Sequence, residues 1–112
     1  MTALPIAPAQ CADDAIRGDQ YEIPVSGDEM YPTLRPGDVA YACKGRRVRP
    51  GDYVNVFADD GRGGGAGNIR RLHSIEVDGT IVLEQFRPQR KIRIQPGRVR
   101  AIHRIVAIIF TP

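Results

Sequence analysis

The sequence predicts an all-β domain of about six or seven short strands. Three observations carry that expectation. Gly and Pro are frequent, 12 and 9 of 112 residues. Apolar residues alternate with polar ones over short runs, and turn signals separate those runs. No stretch keeps apolar residues at helical spacing for more than a turn or two. A chain of this length forms one domain, and its 42% hydrophobic content suffices for a modest core without metal or disulfide staples.

Residues 1–20 carry two prolines and no periodicity, and read as a flexible N-terminal arm; the ordered domain spans 21–112. "YEIPVS" opens it as a short strand, and "YPTLRPGD" is a turn segment because Pro32 and Pro36 fix φ and donate no ladder hydrogen bond. "DVAYAC" alternates as a strand, the basic turn "KGRRVRPGD" follows, and "YVNVFA" alternates again. "DDGRGGGAGN" is a glycine-rich hairpin tip. It lacks the Gly-Lys-Ser/Thr ending and the following helix of a phosphate-binding loop. "NIRRLHSIEV" and "TIVLEQF" flank Asp78-Gly79, a strong hairpin signal. "KIRI", the turn "QPG" and the long strand "RVRAIHRIVAIIF" complete the set.

Charge is uneven. Residues 1–84 hold 9 basic and 13 acidic side chains, whereas 85–112 hold 7 basic and none acidic. That asymmetry raises nucleic-acid binding through Lys91, Arg93, Arg98, Arg100 and Arg104. No aromatic residues interleave with that run for base stacking, and a solvated strand face is the commoner explanation. Cys11 and Cys43 stand apart, outside any Cys-x-x-Cys or Cys/His cluster, so no metal site is expected. Without a leader-like segment they read as reduced thiols of a cytoplasmic protein; a disulfide between them is possible, but no pattern in the sequence supports it. The longest apolar run, "IVAIIF", is far too short to span a bilayer. No motif implies a cofactor. His73 and His103 each sit within a strand pattern and read as structural. Asp28 and Glu29 are neighbours whose side chains diverge, which argues against a shared acid–base site.

"SGDEMYPTLRPGDV" and "NIRRL" together resemble the C-terminal serine–lysine autopeptidase domain of LexA- and CI-type repressors and of the polymerase accessory protein UmuD. The family frame reads Gly-Asp-Ser-Met-x-Pro-Thr-Leu-x-x-Gly-Asp, followed later by a Val/Ile-Lys-Arg-Leu strand. "VLEQFRPQ" falls where the family has a Leu-x-x-x-Asn-Pro-like segment. The resemblance covers residues 22–110. It implies a LexA-type C-terminal peptidase fold, with compact twisted sheets or a partly open barrel of short strands.

Carried over position by position, the nucleophile becomes Glu29 and the general base Arg70. A serine–lysine dyad needs a hydroxyl to attack and a neutral amine to accept its proton. Glutamate has no hydroxyl, and the guanidinium stays protonated. The resemblance therefore implies a pseudo-peptidase with no catalytic residues. Its paired replacement suggests a bidentate Glu29–Arg70 ion pair. Arg71 would face the other way. The arm also lacks the Ala-Gly or Cys-Gly bond that the family cleaves. What the resemblance leaves is a stand-alone protein-interaction module in transcriptional, phage or SOS-type regulation. Its expected partner is a second copy or a LexA/CI-type repressor, and a UmuD-like accessory role is a variant. The apolar edge at Ile105, Val106, Ile108, Ile109 and Phe110 is the expected interface.

Overall fold

Two short motifs show how this sequence turns. "LRPGDV" and "VRPGDY" adopt the same local structure. The Asp38 amide donates to the Arg35 carbonyl and the Asp52 amide to the Arg49 carbonyl, each at 3.0 Å. The aspartate side chains close the turns from the other side: Asp38 Oδ2 accepts from the Arg35 amide at 2.9 Å, and Asp52 Oδ2 from the Arg49 amide at 2.8 Å. Proline sets the second residue, while Gly37 and Gly51 take φ of 95° and 98°, which only glycine adopts without strain. "QPGR" lacks the closing aspartate and forms a single 3-10 turn at Pro96–Arg98 instead.

The computed structural model describes residues 20–59 and 67–110, and Thr2–Ala3 as backbone. The rest of the arm and the centre of the glycine-rich tip lie outside the described residues. Between the turns run β1 (Thr2–Ala3), β2 (Gln20–Pro24), β3 (Val39–Cys43), β4 (Tyr53–Ala58), β5 (Gly67–Ile75), β6 (Ile81–Phe86), β7 (Gln89–Ile94) and β8 (Val99–Phe110). All strand pairs are antiparallel, in one sheet of order β2-β3-β8-β4-β5-β6-β7, with β1 paired to the end of β8. The all-β expectation holds, and β2 to β8 fall on the anticipated runs. At Asp78-Gly79 the Thr80 amide donates to Asp78 Oδ1 at 2.9 Å, and Gly79 takes φ 93°.

β8 is the spine. It pairs with β4 through residues 99–104, with β3 through 104–109, and with β1 at 109–110. Register shifts leave Arg100, Val106 and, in β5, His73 without opposite partners; such bulges bend strands and sharpen twist. Two apolar clusters result. Met30, Leu34, Ala40, Ala42, Ile105 and Ile108 form one. Val54, Val56, Leu72, Ile81 and Leu83 form the other. This corrects the reading of that run as a sheet edge. β8 is not an edge, and Ile105 and Ile108 are buried core, leaving Val106, Ile109 and Phe110 half-buried.

The two Arg-Pro-Gly-Asp turns differ in burial: Asp38 is fully enclosed and Asp52 only partly so. Asp38→Ala removes a fully enclosed carboxylate that closes the turn and costs about 1–3 kcal/mol, whereas Asp52→Ala costs about 1 kcal/mol or less. Urea unfolding of both variants checks this. Equal losses would mean that burial does not govern the turn.

Candidate functional cleft

The chain leaves β2 at Val25, whose amide donates to the Asp38 carbonyl at 2.8 Å, and reverses at Gly27, φ 80°. A helical-type turn follows, in which the Leu34 amide donates to the Met30 carbonyl at 3.0 Å. Met30 and Leu34 are driven into the core, so this turn is anchored by apolar burial. Glu29 is held beside them. Its carbonyl accepts both the Phe86 and the Arg87 amides at 2.9 Å, joining this turn to the β6–β7 hairpin. Arg87 adds a guanidinium over the Tyr31 ring at 4.9 Å and a 3.6 Å contact to Asp28, both near the surface. Asp28 thus turns to Arg87 rather than sharing a site with Glu29.

Facing this turn is the start of β5. Glu29 and Arg70 line the same cleft of about 250 Å³, with Ser26 and Gly27 on one wall and Asn68 and Ile69 on the other. Alternation along β5 settles which arginine enters: Arg70 lines the cleft, while Arg71 reaches Glu84 at 2.9 Å. That hydrogen bond from Arg71 holds the Glu84 carboxyl below its ordinary pKa.

The expected bidentate ion pair is not made. The Glu29 carboxylate folds back over Gly27, so close that a Cβ there would lie 2.4 Å from Oε1. Arg70 Nη1 instead donates to the Ile69 carbonyl at 2.7 Å, and its Nε is buried without a hydrogen-bond partner. Desolvation lowers the Arg70 pKa; the Glu29 charge opposes that shift and Arg90 adds to it. Glu29 and Arg70 are therefore electrostatic neighbours across the cleft, not a clasp. The guanidinium still stays protonated near neutrality.

The basic residues of the C-terminal third do not form one surface. Lys91 and Arg93 lie on β7, separated from β8 by β4, β5 and β6. Arg93 is paired with Glu76. Arg98 lies in the 3-10 turn and donates from Nε and Nη2 to the Asp59 carbonyl at 3.0 and 2.7 Å. Arg100 approaches Asp59 at 3.8 Å and Arg104 approaches Asp52 at 3.7 Å. Asp52, Asp59 and Glu76, all from the first 84 positions, thus fold against these basic residues.

His73 is exposed at its bulge beside Ser74, 3.2 Å away. His103 gains a partner that its strand pattern did not reveal, the Tyr21 hydroxyl at 2.6 Å. Cys43 is buried and disulfide-bonded, which corrects the reduced-thiol reading; Cys11 lies outside the described residues. The argument for a cytoplasmic protein from reduced thiols falls with it. Among the described residues no helix is long and apolar enough to cross a membrane, and no group of three or more His, Cys, Asp or Glu is placed to hold a metal ion. Comparisons with protein-family models, curated proteins and solved structures yield no match to this chain.

Because Arg70 is half-buried without an ion pair, Arg70→Met, which keeps the apolar stem, is neutral or stabilising by up to about 1 kcal/mol. Glu29→Gln changes stability by less than about 0.5 kcal/mol. Urea unfolding near pH 7 checks both. A loss of about 3 kcal/mol in either variant would reveal a clasp after all.

Proposed function

We propose that this chain is a catalytically inactive relative of the LexA/CI-type C-terminal domain, acting as a stand-alone protein-interaction module. The cleft between β2 and β5 receives an extended segment of a partner chain. Partners of the same fold, including a second copy, a LexA/CI-type repressor or a UmuD-like accessory assembly, are the first to seek.

The observation that carries this reading is the backbone lining the cleft. β2 has a strand on one side only, β3. At the start of β5, residues 67–70 pair with β4, while the ladder to β6 begins at Arg71. Both cleft walls therefore present strand edges that carry no further strand among the described residues. Such edges recruit an extended peptide through main-chain hydrogen bonds, with side-chain pockets adding selectivity.

The chemistry of the cleft supports binding without turnover. Glu29 offers no hydroxyl, and Arg70 cannot serve as a neutral amine base. Ser26 is exposed in the same cleft, but no basic group among the described residues hydrogen-bonds to it. The cleft also moves the interaction surface away from β8, whose two edges are already occupied.

Affinity capture from native host lysate tests the reading, using wild type and Ser26→Trp at low and high salt. Ser26→Trp fills the cleft from a position with no internal hydrogen bond to lose. A protein partner retained by wild type at both salts and reduced about tenfold or more by Ser26→Trp is the expected result, a loss of about 1.4 kcal/mol. Recovery of the same proteins by both would place the interaction elsewhere.

A further inference from the structure

A second hollow, of about 470 Å³, lies away from Glu29 and Arg70. Tyr21, Lys44, Phe57, Arg100, Ala101 and His103 line it. These residues come from β2, the end of β3, β4 and β8, so no linear motif announces the site. The aromatic side chains missing from the basic run in sequence are supplied in space by other strands.

The rings are held in fixed orientations. Asn55 and His103 are cross-strand partners, and Asn55 Nδ2 donates to the Tyr21 hydroxyl at 3.0 Å. The same Tyr21 hydroxyl is hydrogen-bonded to His103 Nδ1 at 2.6 Å, which fixes both rings. His103 meets Tyr21 and Phe57 edge-on, at interplanar angles of 84° and 61° and centroid distances of 5.5 Å. Gly67 allows this arrangement, since a Cβ there would lie 2.6 Å from Asn55 Oδ1 and 3.0 Å from the Phe57 ring.

Two cations flank the rings. The Lys44 ammonium lies 5.7 Å from the Tyr21 ring centroid, with no carboxylate partner among the described residues. Arg100 stands at a bulge, where it is lifted out of the β4–β8 ladder. Its 3.8 Å approach to Asp59 is between half-exposed groups, a weak contact that an incoming anion can replace. Aromatic walls beside two exposed cations suit a planar π-system carrying a negative group, and the volume falls in the range of small-ligand sites.

We propose that this hollow binds a nucleobase together with its phosphate. The base packs against Phe57 and the Tyr21–His103 pair, and the phosphate lies between Lys44 and Arg100. The ligand is either a free mononucleotide or one residue of a single strand, which share this chemistry. The site is independent of the peptide cleft and of the other basic residues on β7.

NMR titration of the folded chain with AMP, adenosine, inorganic phosphate and a ten-residue oligo-dA tests the proposal. AMP is expected to shift the His103 and Phe57 ring signals saturably. Adenosine and inorganic phosphate are each expected to bind about tenfold or more weakly, because each keeps only one of the two contacts. Lys44→Ala and Phe57→Leu are each expected to weaken AMP about fivefold or more while leaving the remaining spectrum folded. Oligo-dA binding more tightly than AMP, with a steep salt dependence, identifies a single strand as the source; equal affinity identifies the free nucleotide. Absence of saturable shifts up to about 10 mM AMP, which means a Kd weaker than the millimolar range, would overturn the proposal. So would phosphate binding as well as AMP, or shifts that map away from the hollow.

Discussion

A buried strand must pair its backbone on both edges, and β8 meets that requirement with β3 on one side and β4 on the other. Most of the architecture depends on this pairing. It joins the β2–β3 hairpin to the β4–β7 meander, and it draws Ile105 and Ile108 into the core. It also takes the long apolar C-terminal run off the sheet edge. The bulge at Arg100 and the cross-strand pairing of Asn55 with His103 follow from the same strand. β8 therefore organises the second hollow as well as the core.

The cleft depends on a different device. Met30 and Leu34 bury the turn after β2, and the two amides donated to the Glu29 carbonyl fasten it to the β6–β7 hairpin. This holds the backbone of Glu29 opposite Arg70 whatever the side chain at position 29. A frame held by apolar burial and main-chain hydrogen bonds tolerates many side chains at position 29. Arg70 has no hydrogen-bond partner for Nε, and the adjacent carbonyl of Ile69 takes its Nη1. Neither contact requires Glu29.

Strands and turns were legible in the sequence wherever the signal was local. Alternation marked β3 and β4, Asp78-Gly79 marked the β5–β6 turn, and Arg-Pro-Gly-Asp marked two reversals. That positions 29 and 70 line one cleft was an expectation of the family resemblance and not of any local signal. Their ion pair was not foreseeable in either direction, because it depends on side-chain conformation: the missing Cβ of Gly27 leaves room for the Glu29 carboxylate to fold back. The central place of β8 was hidden for a related reason. A 12-residue apolar strand reads the same at an edge as in the middle, and only the register with β3 and β4 distinguishes them. The ring cluster around His103 joins residues remote in sequence, which spacing alone does not report.

The proposed function holds that the cleft keeps a peptidase-like frame and lacks only the two reactive side chains. Labelling by a serine-directed fluorophosphonate tests it most directly, comparing wild type with the double variant Glu29→Ser, Arg70→Lys. The account predicts an unreactive wild type and covalent labelling of the double variant at position 29, located by peptide mass spectrometry. Labelling of the wild-type cleft, or a folded double variant that remains unlabelled, would contradict it.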